Sequence, residues 1–207
     1  MSGELSSKKS TGTTLVELMV YMTLFSCVLS CVYWVLITSM RYYNVADASV
    51  DLQSQAMRGM ATLTQDLSET TSMSVYDLDA STPKGIIFAS PRNSQKKYTY
   101  NAYNELLWKR WVCYYIGSNK GVSYLYRKEV INDAGTATIP AIPAGKDTIS
   151  GWINDNSLTA TTVAKYVDSV NFEIYTDIVT ATYSLENSPS TDKRNTLQIT
   201  SQIRTRN

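Results

Sequence analysis

The apolar positions of this chain follow three successive patterns, and each predicts a different kind of element. Residues 18–37 contain no charge, no proline and no glycine. A run of 20 such residues, at ~1.5 Å rise each, matches the ~30 Å hydrocarbon core of a bilayer. Next, Val45, Ala48, Leu52, Ala56, Gly59 or Met60, Leu63 and Leu67 recur at steps of three and four, one face of a helix. Asp47, Asp51, Gln55, Arg58, Gln65 and Asp66 fill the intervening positions. Gly59 is the single glycine in residues 13–82, and the first proline is Pro83. The two patterns together predict one helix over residues 13 to about 71, apolar all round in its first half and amphipathic in its second. A lone helix of that length is not stable in water, so its outer half needs a partner surface from the rest of the chain.

Strand signals take over after Pro83. Residues 85–90 form a short apolar run closed by Pro91, and residues 97–100 alternate. Residues 106–116 predict a long strand, stopped by the turn-rich stretch 117–121, with residues 122–131 as its hairpin partner. Residues 132–164 carry Gly135, Pro140, Pro143, Gly145, Gly151 and Asn154-Asp155-Asn156. They are expected as a long loop or insertion, with room for a helical turn. Residues 167–175 and 179–185 predict another strand pair, 186–195 a polar loop, and 196–204 a closing strand with clean alternation. The expected organisation is a polar leader over 1–12, a membrane-spanning helix over 13–40 and an amphipathic helix half over 41–75. A β-rich domain over 76–207 follows, with the insertion about 132–164.

One carboxylate, Glu17, stands at the start of the apolar run, preceded by Gly12 and by Lys8 and Lys9. An acid at the edge of a membrane helix is costly unless something neutralises it, so it reads as functional. A basic leader, a glycine, Thr14-Leu15-Val16-Glu17-Leu18 and a long apolar helix together resemble the class III signal of type IV prepilins and type II secretion pseudopilins. Residues 57–67, 111–116, 124–127 and 197–207 are similar, in the right order, to segments of PilW-type minor pilins and J-type pseudopilins. The resemblance implies an α+β, pilin-like fold: a long N-terminal helix packed on an antiparallel sheet domain. It also implies that a prepilin peptidase cuts between Gly12 and Thr13 and methylates the new amine of Thr13. In that family phenylalanine usually follows the cut, and here the residue is Thr13. The implied partners are other pilins or pseudopilins through the helix, the peptidase, the inner-membrane assembly machinery, and lipid before assembly. The matching glutamate of pilins is thought to pair with a neighbour's terminal amine, which gives Glu17 its expected role in assembly.

Lys8 and Lys9 precede the span and Arg41 follows it, a bias that favours a cytoplasmic N-terminus with the bulk of the chain outside. An ordinary secretory signal has an apolar core of roughly 7–15 residues and a small-residue cleavage site after it. This run is longer, and Thr38-Ser39-Met40-Arg41 follows instead. The alternative left open is a single-pass, membrane-anchored extracellular binding domain that never polymerises. Thr23, Cys27, Ser30, Cys31 and Thr38 set small residues at helical spacing, suited to close helix approach or simply tolerated.

Composition removes several classes of chemistry. The chain has 207 residues, a net charge of +1, no histidine and 3 cysteines. Triads that use histidine are therefore absent, no catalytic residue is nominated, and no nucleic-acid footprint stands out. Cys27 and Cys31 lie in the apolar run and Cys113 stands alone beyond it, so no disulfide framework forms in the outer domain. Asp77 and Asp79, and Asn154 to Asn156, offer oxygen ligands but lack the spacing of a calcium loop, and they are expected as solvated turns. No metal and no cofactor is expected. Tyr98, Tyr100, Trp108, Trp111, Tyr114, Tyr115, Tyr124 and Tyr126 are expected as core and cross-strand pairs, with a carbohydrate-binding face as the alternative.

Overall fold

The computed structural model describes residues 14–78, 85–190 and 193–206. Helix α1 spans Leu15–Leu67, and the chain divides between Ala46 and Asp47 into two compact units. The first unit is α1 as far as Ala46. Its apolar side chains are exposed almost throughout: Leu15, Phe25 and Trp34 retain 75%, 61% and 71% of their surface. The hydroxyls within it bond back to their own helix, Thr23 to the Val20 carbonyl, Ser26 to Met22 and Ser30 to Ser26. These polar groups are thus satisfied without water, as a hydrocarbon surround requires.

The second unit begins at Asp47 and is α+β. Within it α1 buries Leu52, Ala56, Gly59, Leu63 and Leu67, the stripe predicted by the three-four spacing. Strands β1 (Val75–Asp77), β2 (Gly85–Ser90), β3 (Trp108–Asn119), β4 (Val122–Thr136) and β5 (Thr161–Lys165) form one antiparallel sheet in that order. Strands β6 (Val167–Ile174), β7 (Ile178–Ser190) and β8 (Lys193–Arg204) form a second antiparallel sheet. A short helix, α2 (Ile149–Ile153), lies between β4 and β5. The chain passes between the sheets at Tyr166, whose N–H donates to the Ser123 carbonyl at 2.8 Å while its own carbonyl accepts from Glu186 at 2.9 Å.

Alternation along β2 and β3 builds two cores. Ile86, Phe88, Val112 and Tyr114 join Leu52, Ala56, Leu63 and Leu67 of α1 together with residues of the second sheet. Ile87, Ala89, Trp111, Cys113 and Tyr115 point the other way and pack with Ile149 and Trp152. A strand buried on both faces reads as a continuous apolar run, which is why β2 shows no alternation in the sequence. Gly59 brings α1 close to the sheet: a Cβ there would stand 3.1 Å from the Cβ of Ala164.

The structure departs from the sequence expectation at several boundaries. Helix α1 ends at Leu67 rather than Thr71, because Thr70 turns inward and its hydroxyl donates to the Ala89 carbonyl. Residues 97–100 make only isolated bridges, Arg92 to Tyr98 and Tyr100 to Leu106. The Asn93 carboxamide there accepts from the N–H groups of Gln95 and Lys97, and the Asn101 carboxamide from those of Tyr103 and Glu105. Such local side-chain bonds compete with a strand ladder. The stretch 117–121 is mostly strand: Gly117 pairs with Tyr124, and only Lys120 and Gly121, with φ of 52° and 77°, make the turn. Two successive positive φ values suit a two-residue hairpin. The expected polar loop 186–195 is largely ladder, with Glu186 opposite Thr196 and Asn187 opposite Asn195. Strand β1 had no distinct signal.

The insertion over 132–164 is the largest revision. It extends β4, supplies α2 and β5, and covers the second face of the first sheet with Ile149 and the fully buried Trp152. Lys128 of β4 holds it to the sheet, and Lys146 braces it from within. Lys128 Nζ donates to the carbonyls of Trp152, Ile153 and Asp155 at 2.7, 3.1 and 2.9 Å. Burial pulls the Lys128 ammonium below the usual lysine range. Lys146 donates to the Gly151 carbonyl and to Asp155 Oδ2, both at 2.6 Å, and lies 5.7 Å from the Trp152 ring centroid. Asp155 is therefore a paired structural acid. Hydrogen bonds from Lys146 and Ser157 hold its carboxyl below the usual carboxylate range.

Candidate functional site

Of the residues singled out in the sequence, Lys8, Lys9, Gly12 and Thr13 lie outside the described residues. Glu17 is described. It occupies the first turn of α1, in a run with no other charge until Arg41. Its backbone N–H donates to Thr14 Oγ1 at 3.4 Å, and the N–H of Leu18 donates to the Thr14 carbonyl at 3.1 Å. Thr14 is thus the N-cap, with Glu17 three residues into the helix. Thr-x-x-Glu is the sequence pattern of a capping box, and an acid there also suits the positive end of the helix dipole. The Tyr21 hydroxyl stands 3.5 Å from Glu17 Oε1, one turn along. Capping explains why the helix begins here; it does not hide the carboxylate, which stays exposed on an apolar rod.

A second constellation was not anticipated. Asp66 lies between Leu63 and Leu67 on the buried side of α1, not among solvated residues, and is only 8% exposed. Arg127 Nε donates to Asp66 Oδ2 at 2.7 Å, and the Tyr114 hydroxyl donates to the same oxygen at 2.7 Å. Arg110 Nη2 lies 3.8 Å from Asp66 Oδ1. Glu129 Oε2 accepts from Arg110 Nη1 and Arg127 Nη1, each at 3.0 Å. Beside them Arg92 pairs with the buried Glu69 at 2.6 Å. Arg110 comes from β3, Arg127 and Glu129 from β4, and the two acids Asp66 and Glu69 from α1 and the turn after it.

The electrostatics follow from burial and pairing. Burial alone would pull the Arg127 guanidinium down, but the charge and hydrogen bond of Asp66 outweigh it and leave it above the usual arginine value. Burial, reinforced by the Asp66 charge, pushes the Tyr114 phenol well up. Burial also raises Glu69, with Arg92 offsetting part of the effect. Each carboxylate is matched by a guanidinium, which does not give up its proton. The cluster ties helix to sheet and holds charge in fixed places. A sequence signal for it existed: Arg110 shares the parity of Val112 and Tyr114, so a charge had to enter the helix-facing core.

The nominated aromatics divide between core and surface. Tyr114 stacks on Phe88 with centroids 6.1 Å apart, and Tyr115 stacks on Tyr126 at 5.5 Å. Tyr98, Tyr100 and Tyr103 are exposed, and Arg92 lies 5.2 Å from the Tyr98 centroid. Among the described residues, no group of three or more cysteine, aspartate or glutamate side chains is placed to hold a metal ion. The chain matches no protein-family model, no curated protein and no solved structure.

Proposed function

We propose that this chain is a minor pilin or pseudopilin: a structural subunit that primes or caps a type IV pilus or type II secretion pseudopilus by helix packing rather than catalysis. The observation that carries the reading is the first half of α1. It is apolar around its whole circumference, exposed, long enough to cross a membrane, and marked by a single carboxylate at its start. The same helix then becomes the spine of a folded domain. A rod of this kind has two environments that bury it, a bilayer and a bundle of similar helices, and a filament subunit passes from one to the other. In the bundle, Glu17 offsets its desolvation by facing a neighbour's terminal amine. An unpaired charge costs about 2.5–3.5 kcal/mol at the bilayer centre on the insertion scale, which sets an upper bound for Glu17 at the end of the span.

The test is the processed N-terminus together with assembly. Intact-mass measurement of protein extracted from native membranes is expected to show a chain starting at Thr13, with or without one added methyl. Glu17→Gln is expected to insert, to be cleaved and to fold as wild type, yet to lose crosslinks to partner pilins. Recovery of only the full-length chain, or wild-type crosslinking by the variant, would overturn the reading and leave a plain membrane anchor.

A further inference from the structure

The cluster around Asp66 floors a cleft of roughly 310 Å³ between α1 and the strands that carry Arg110, Arg127 and Thr161. That lies at the lower end of the ~300–1,000 Å³ range of small-ligand sites. Its charge is lopsided. Arg58, Arg92, Lys96, Arg110 and Arg127 line it, against Asp66 in the lining and Glu69 and Glu129 behind. Three guanidinium groups are matched by the three carboxylates, so the surplus is Arg58 and Lys96. Neither forms an ion pair with a described residue. Both are exposed, Arg58 on α1 and Lys96 in the turn after β2.

The rim has neutral groups as well. The Gln65 amide and the Thr161 hydroxyl belong to exposed residues of the same lining, and Thr161 stands opposite Arg127 in the β4–β5 ladder. The floor is rigid: Arg110 is 3% exposed and held by Ser90, Glu129 and Asp66. The arrangement is therefore a preformed cleft with a surplus of two cations and with hydroxyl and amide groups beside them. Inorganic phosphate would reach some of these groups but fill only a small part of an opening of roughly 310 Å³. A ligand carrying one carboxylate and several hydroxyls would engage both sets, the carboxylate through charge-assisted bonds and the hydroxyls through neutral ones.

We infer that this cleft binds a hydroxylated carboxylate of the acidic-sugar class, with Arg58 and Lys96 holding the carboxylate and Gln65 and Thr161 the hydroxyls. The inference uses nothing in the first half of α1 and stands apart from the filament reading. Isothermal titration of the full-length chain in detergent micelles, at constant ionic strength, tests it with three probes: galacturonate, galactose and inorganic phosphate. Galacturonate is expected to bind saturably, and galactose, which lacks the carboxylate, is not. Arg58→Ala and Lys96→Ala are each expected to weaken galacturonate roughly tenfold, the loss of one hydrogen bond to a charged group. Both side chains are exposed, so the melting temperature is expected to stay put and to separate a binding defect from a folding one. The inference is overturned by no saturable signal for galacturonate, by unchanged binding in both variants, or by phosphate binding where galacturonate does not.

Discussion

Replacing Asp66 by asparagine keeps the shape of the side chain and removes its charge. Three contacts change at once: Arg127 Nε and the Tyr114 hydroxyl, each 2.7 Å from Oδ2, and Arg110 Nη2, 3.8 Å from Oδ1. Glu129 is then the one carboxylate left between two guanidinium groups. Stripping one partner from a buried ion pair costs about 3–5 kcal/mol, because the orphaned charge stays desolvated. Arg127 is 15% and Glu129 31% exposed in their side chains, so water and Glu129 recover part of the loss. The lower figure, about 3 kcal/mol, is expected. At about 2–4 °C per kcal/mol for a domain of this size, the melting temperature falls by about 6–12 °C. Thermal unfolding of the full-length chain in micelles, followed by tryptophan fluorescence, reads this directly. Asp51→Asn is the control: Asp51 has only a 3.4 Å contact with Gln55, and a shift within about 0.5 kcal/mol is expected. Combining Asp66→Asn with Arg127→Gln should cost less than the sum of the single changes, with a coupling of about 0.5–3 kcal/mol. An Asp66→Asn protein that melts with the Asp51→Asn control would refute the view that this pair fastens helix to sheet.

Truncation maps the role of the helix. A fragment starting near Arg41 keeps the stripe through Leu67 and is expected to be soluble and cooperatively folded, whereas one starting near Pro83 uncovers Phe88, Val112 and Tyr114 and is expected to aggregate; light scattering and circular dichroism distinguish them. Gly59→Leu drives a side chain into Ala164, 3.1 Å from the position of its Cβ, and is expected to cost about 1–3 kcal/mol in urea unfolding. Asp155→Asn tests the brace within the 132–164 segment. The folded state holds this carboxyl below its ordinary value of 3.8, so its contribution is present above that pH and is lost as pH falls below it. The variant should therefore melt lower than wild type at pH 7, with the gap narrowing as pH drops below about 4; a gap that is constant with pH would rule out Asp155 as the titrating group.

What the sequence determined by itself was periodic or local. The apolar length of residues 18–37, the stripe Leu52–Ala56–Leu63–Leu67 and the alternation near the C-terminus each depend on neighbours a few residues apart, so the long helix and antiparallel strands could be inferred from them. The Thr14-to-Glu17 cap was also legible in principle, as a pattern spanning one turn. Tertiary structure decided what depends on distant partners. Asp66 meets Tyr114 and Arg127 across 48 and 61 residues, and neither end shows in its own surroundings which charge the other will supply. The insertion over 132–164 looked like loop because its role is to cover a face: Trp152 and Ile149 gain meaning only when β2 and β3 turn Ile87, Ala89 and Cys113 toward them. Spacing along a chain specifies which side of an element is apolar. Which surface buries that side, and which charge is drawn in with it, is settled only when the elements pack.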